Sequence, residues 1–147
     1  MYYSPFKPKS IKDYCPKNTK IYTFHAGFKQ KAKDLLIVVF DKPVPVASVY
    51  SKTSTPSAPI IWDKKNNKGI CKVLIINSGN ANAHTGNQGL KNIDQYVNQA
   101  SKYFKCKKNQ ILVSSTGVIG EQLNPKKIFD KFVNVKSNNS RGIVDAA

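Results

Sequence analysis

A chain of 147 residues is about one domain's worth, enough to bury roughly two thirds of its unfolded surface around a single core. With 40% hydrophobic and 22% charged residues it falls outside the disordered class. The net charge of +16 comes from lysines spread from Lys7 to Lys136, with Arg141 the sole arginine, so a solvated lysine coat is expected rather than a guanidinium-based footprint on nucleic acid.

No apolar stretch approaches the roughly 20 residues needed to cross a bilayer, and Pro5, Pro8 and Asp13 break up the amino terminus where a secretory signal would need an apolar run. The expectation is a cytoplasmic protein with no membrane and no nucleic-acid partner. Cys15, Cys71 and Cys106 are odd in number and widely spaced, which fits free thiols; Cys71, in an apolar run, reads as a small hydrophobe. His25 and His84 share no metal-ligand spacing with them, so no metal site is expected.

Residues 1–20 are polar, proline-bearing and lysine-rich, and read as an extended N-terminal arm before a single α/β domain over 21–147. The unbroken apolar run Leu35-Leu36-Ile37-Val38-Val39-Phe40 has the length and β-branched content of a central strand, ended by Asp41-Lys42-Pro43. Val46–Ser51 is a second candidate, paired antiparallel with the first. Ser51–Pro59 reads as a loop, Ile60-Ile61-Trp62 as a short strand and Lys64–Gly69 as a polar turn.

Val73-Leu74-Ile75-Ile76 is the next buried strand. Leu90, Ile93, Val97, Ala100 and Phe104 then recur at spacings of three and four, one face of an amphipathic helix. Ile111-Leu112-Val113 starts a further strand. Asn124 before Pro125 reads as an N-cap with proline at the first helical position, with Ile128, Phe129 and Phe132 as the apolar stripe.

Two small-residue segments follow buried strands: Asn77-Ser78-Gly79-Asn80-Ala81-Asn82-Ala83 and Ser114-Ser115-Thr116-Gly117-Val118-Ile119-Gly120. Strand ends are where α/β proteins place ligands. The first segment lacks the glycine spacing of dinucleotide or P-loop sites. Its three asparagines are suited to tying neighbouring backbones together, so scaffold and ligand contact are both open. In the second, the Thr116 hydroxyl and the unshielded Gly117 N–H are two adjacent donors of the kind an oxyanion hole uses. From spacing alone, ordinary turn chemistry is the favoured account of Ser-Thr-Gly.

In order and separation these segments resemble the paired signatures of the ornithine acetyltransferase family, also called glutamate N-acetyltransferase, of arginine biosynthesis. Asn77–Ala83 with Thr85-Gly86 and Gly89, then Ser115–Gly120, carry the match. Cys15-Pro16-Lys17, Gly27-Phe28-Lys29, Asp34-Leu35 and Ala58-Pro59 extend it over nearly the whole chain.

The resemblance implies a layered α/β sheet-and-helix domain of the ornithine acetyltransferase, N-terminal-nucleophile-like fold, incomplete as given. It implies transfer of acetyl from N-acetylornithine to glutamate through a threonine nucleophile exposed by self-cleavage, with Thr116 and Gly117 as the oxyanion hole. No metal or organic cofactor is implied. The partner implied is a β-chain of the same precursor, in a heterotetramer of two α and two β chains. The family's nucleophile and substrate-contacting residues lie past the position of Ala147, so the chain is expected to be most of an α-chain, inactive alone.

Two departures stand out: Ser51-Lys52-Thr53 replaces the family's Thr-x-Asn, and Asn18 stands where glycine is common. A non-catalytic descendant binding an acidic metabolite or a partner, and a basic nucleic-acid-binding module, are the alternative readings.

Overall fold

The computed structural model describes residues 15–136. Residues 1–14 of the expected arm, Arg141 and the segment 137–147 lie outside the described residues.

Four strands form one sheet in the order β1-β2-β3-β4: β1 Thr19–Phe24, β2 Leu35–Pro45, β3 Ile70–Asn80 and β4 Ile111–Val118. β1 pairs antiparallel with β2 and β2 with β3, whereas β3 and β4 are parallel. That parallel step needs a crossover, supplied by α2, Gly86–Tyr103. α1, Ala58–Asn66, connects β2 to β3, and α3, Lys126–Phe129, is a single turn followed by a 3-10 turn at Phe132–Val135.

The mixed α/β class and three of the expected strands are present, and α2 carries the expected stripe. Ile93, Val97 and Ala100 are fully buried, with Leu90 and Phe104 packed at the margin. They cover one sheet face, made of Tyr22, Phe24, Leu35, Ile37, Val73, Ile75, Ile111 and Val113. Of the residues alternating with these, Leu36, Val38, Leu74 and Ile76 are only half-buried, whereas Ile21, Thr23 and Leu112 are buried. Asn124 Oδ1 accepts the Lys126 N–H at 3.0 Å as a cap would, but the N-cap of α3 is Pro125, one residue later than the sequence suggests. Cys71 is buried, and burial pushes its thiol up to about 11, as a packing cysteine requires.

Several local readings need correction. Asp41-Lys42-Pro43 does not end β2: the strand continues to Pro45 through a register shift between Val39 and Val44, which accommodates Pro43 at an exposed bulge. Val46–Ser51 is consequently not a strand, because the antiparallel partner of β2 is β3; Val49 is fully exposed. Ile60-Ile61-Trp62 is helical. Pro59 stands at the start of α1, and Ala58 with Trp62 and Pro59 with Asp63 bury i, i+4 positions that a strand would split between faces. Lys64–Asn66 close that helix, and the turn is confined to Asn67–Gly69, where Asn67 Oδ1 accepts the Gly69 N–H at 2.8 Å.

β1 is a strand that the apolar pattern does not announce, and Thr19 and Lys20 of the expected arm open it. Just before it, Asn18 has φ 59°, a left-handed conformation that glycine favours and asparagine tolerates. Asn18 therefore does the backbone work a glycine would do there, and its carbonyl accepts the Asp41 N–H at 2.9 Å.

α1 docks on β4 through one side chain. Asp63, 7% exposed, accepts the Val113 N–H at 3.2 and 3.3 Å with its two carboxylate oxygens. Burial pushes its carboxyl from 3.8 up to about 7, with the Val113 N–H partly opposing. The folded value lies above the unfolded one, so the associated stability is fully present below about pH 4 and is lost as pH rises to about 7. Denaturation across this range is expected to show the wild type losing on the order of 2–4 kcal/mol relative to Asp63→Asn, which does not titrate. Parallel pH profiles for the two proteins would contradict this.

Candidate functional site

The two small-residue segments are not separate loops. Asn77–Asn80 and Ser114–Val118 are the carboxyl-terminal parts of β3 and β4, side by side in parallel register: Asn77 opposite Ser115, Ser78 opposite Thr116 and Gly79 opposite Gly117. The Ser115 hydroxyl donates to Asn77 Oδ1 at 2.6 Å, tying one segment to the other.

At the glycine pair the backbones meet with no room for a side chain. A Cβ on Gly117 would lie 2.3 Å from the Gly79 carbonyl carbon and 2.6 Å from the Asn80 nitrogen. Gly117 also has φ +131°, which L side chains rarely adopt. On the other side, a Cβ on Gly79 would lie 2.9 Å from both Cβ and the carbonyl oxygen of Phe28. Phe28, Gly79 and Gly117 are thus stacked in contact.

Phe28 is held there by Asp34. This carboxylate, 3% exposed, accepts N–H bonds from Ala26 at 2.5 Å, Phe28 at 2.6 Å and Lys29 at 2.8 Å. Its own carbonyl accepts the Ser78 N–H at 2.8 Å, joining the connection between β1 and β2 to β3 at the site. Lys127 adds a second anchor, its Nζ donating to the Gly27 carbonyl at 2.5 Å and lying 5.2 Å from the Phe28 ring centroid.

The asparagines are scaffold. Asn77 Nδ2 donates to the Asn80 carbonyl at 2.8 Å, and Asn80 Nδ2 to that of Glu121 at 3.1 Å. Asn82, fully buried, accepts the Thr85 hydroxyl at 2.8 Å and donates to the Gly89 carbonyl at 3.1 Å. With Ala81 N–H on the Val118 carbonyl and Gly120 N–H on that of Ala83, this network clamps the exit of β4. Each buried amide is paired, as burial demands.

Thr116 and Gly117 themselves are exposed. Among the described residues β4 is the last strand of the sheet, and its outward direction is marked by the Val113 N–H, which leaves the ladder for Asp63. Because backbone direction alternates along a strand, the N–H groups of Ser115 and Gly117 point to that open edge. The Val118 carbonyl, by contrast, is bound inward by Ala81. The Thr116 side chain falls, by the same alternation, on the sheet face opposite α2. A free hydroxyl-bearing side chain and an outward N–H on consecutive residues can donate to one oxygen.

The two histidines are apart from each other, and His25 reaches only the site's support, its Nδ1 lying 3.7 Å from the Asp34 carboxylate. His25 Nδ1 lies 2.9 Å from the Ala32 carbonyl, and His84 precedes α2 beside a cavity of about 470 Å³. Among the described residues no group of three His, Cys, Asp or Glu is placed to hold a metal ion, and no helix is long and apolar enough to cross a membrane. Residue patterns signalled Thr116 and Gly117 but not Asp34 or Phe28 as their support; Gly27-Phe28-Lys29 and Asp34-Leu35 were visible only as fragments of a resemblance.

The sequence matches the ArgJ family over residues 20–147. It is 38% identical over 128 residues to the arginine biosynthesis bifunctional protein ArgJ of Bartonella quintana, covering 85% of this chain and 31% of that protein. It is 39% identical over 127 residues to that of Agrobacterium fabrum, covering 84% and 31%. The fold is similar to the crystal structure of ArgJ from Bacillus halodurans, with TM-score 0.74 and 32% identity over 79% of this chain and 62% of that one. It is also similar to ornithine acetyltransferase from Mycobacterium tuberculosis in complex with ornithine, with TM-score 0.77 and 26% identity over 82% and 67%. The chain thus spans about a third of the length of these curated relatives.

Replacing Gly117 with alanine is expected to prise β3 from β4 at the site, lowering unfolding free energy by on the order of 1–3 kcal/mol in chemical denaturation. An unchanged midpoint would show that the glycine contact is not tight in solution.

Proposed function

The chain belongs to the ArgJ family, and on that premise we propose that it is the N-terminal part of an acetyltransferase of arginine biosynthesis, carrying acetyl from N-acetylornithine to glutamate. In this reading Thr116 and Gly117 form the oxyanion hole. The observation that carries it is the exposure of Thr116 and Gly117, a hydroxyl and an N–H donor on consecutive residues at the carboxyl-terminal end of β4.

The chemistry needs a nucleophile, supplied in this proposal by a threonine in the part of the relatives' length that the chain does not span. Its hydroxyl adds to the acetyl carbonyl while its own α-amine takes the proton. The carbonyl oxygen becomes an oxyanion, and the two donors stabilise it where charge develops. Collapse of this intermediate expels ornithine with the proton and leaves the acetyl ester on threonine. The glutamate amine then repeats the addition, releasing N-acetylglutamate and restoring the hydroxyl.

Two further features support an incomplete assembly. The half-buried residues Leu36, Val38, Leu74 and Ile76 offer an apolar sheet face for another layer, and Thr116, on that side, is exposed. A β-chain region cut from the same precursor, in a heterotetramer of two α and two β chains, is the partner that fits. No cofactor enters the scheme.

In the full-length gene product, Thr116→Ala is expected to lower kcat on the order of 10²–10³-fold while leaving assembly intact. Wild-type turnover in that variant would remove Thr116 from the mechanism. The 147 residues alone are expected to make no N-acetylglutamate from N-acetylornithine and glutamate; product formation by them would overturn the division of labour proposed here.

A further inference from the structure

We infer that Asp63 is a positioning residue for the Thr116–Gly117 oxyanion hole: from α1 its carboxylate occupies the free edge of β4, bonding where a neighbouring strand would bond. The inference rests on the acetyltransferase reading and adds a residue outside both strand-end segments.

The outward N–H groups of β4 come in sequence at Val113, Ser115 and Gly117. Asp63 takes the first of them with both oxygens, at 3.2 and 3.3 Å. Gly117 lies four residues on, about 13 Å along the same strand at the usual rise. The inner side of β4 is fixed by the ladder to β3 and by Ser115 on Asn77. Asp63 is the corresponding fixture on the outer side, and it does so without a strand that would pair with Ser115 and Gly117 as well. A side chain satisfies one edge group and leaves the catalytic one open.

The setting makes this fixture sensitive to ionisation. Asp63 is buried, and among the described residues no cation pairs with it. It lines a cavity of about 380 Å³ with Ser48, Tyr50, Leu112, Ser114 and Ser115. Cys71 of β3 and Tyr96 of α2 interact electrostatically with it, and both are groups that are neutral at neutral pH. Its neighbour Lys64 is turned away, with Nζ donating to the Ser51 carbonyl at 3.2 Å and lying over the Tyr50 ring. A carboxylate with no counter-charge in this position drives the α1–β4 contact to open and admit water when it ionises.

The test uses the full-length gene product, with kcat and KM measured from about pH 6 to about pH 8.5 for wild type, Asp63→Asn and Asp63→Leu. Asn keeps a neutral acceptor of the same shape. The ratio of kcat in Asp63→Asn to kcat in wild type is expected to rise several-fold across that range, shared titrations cancelling. Asp63→Leu is expected to lose kcat on the order of tenfold with little change in KM, as misplacement of an oxyanion hole does. A ratio that stays constant with pH overturns the inference, whatever becomes of the leucine variant.

If the wild type transfers no acetyl group, the acetyltransferase reading is what fails. The pinning of β4 is then read from exchange of the Val113 amide. Slow exchange in wild type and Asp63→Asn, with at least about tenfold faster exchange in Asp63→Leu, supports it, and equal rates overturn it.

Discussion

Everything at the candidate site depends on two backbones touching. Parallel strands ordinarily keep about 4.8 Å between them and fill the space above and below with side chains. At Gly79 and Gly117 neither strand has a Cβ, and Phe28 lies directly on the Gly79 side of the contact. The close approach sets where the Thr116–Gly117 peptide sits and how its N–H is aimed. A methyl group at either glycine would displace that peptide, and on the proposed acetyltransferase reading by more than an oxyanion hole tolerates.

Such a contact is only as good as its supports, and these are polar and buried. Asp34 gathers three backbone N–H groups to fix Phe28, the asparagines of β3 clamp the exit of β4, and Asp63 holds the outer edge. Two carboxylates on opposite sides of the site do different jobs. Asp34 accepts three backbone N–H groups, whereas Asp63 accepts one and burial pushes its carboxyl up. Buried polar groups of this kind are fully paired or they destabilise, which is why the segment is dense in asparagine, serine and threonine rather than apolar residues.

The elements legible in the sequence were those whose apolar pattern is self-sufficient: Leu35–Phe40, Val73–Ile76, Ile111–Val113 and the stripe on α2. Those that were not depend on distant partners. Ile60-Ile61-Trp62 is too short to show a period, and only its place between β4 and α2 makes it helical. Val46–Ser51 has strand-like residues but no strand to pair with, since β3 already occupies that side of β2. At the site, Thr116 and Gly117 stood out in part from their chemistry and decisively from a family resemblance. Asp34 and Asp63 did not, because an aspartate's burial is a tertiary property with no local signature.

On the proposed reading the chain is a braced strand end that meets a reacting partner supplied by the rest of the acetyltransferase. The most direct measurement is a crystal structure of the full-length gene product holding a tetrahedral analogue of the acetyl-transfer intermediate. The account predicts the analogue's oxyanion within about 2.7–3.1 Å of both Thr116 Oγ1 and the Gly117 nitrogen, with Gly79 still in contact with Gly117. An oxyanion bound by other donors, with Thr116 and Gly117 turned away from it, would contradict the account.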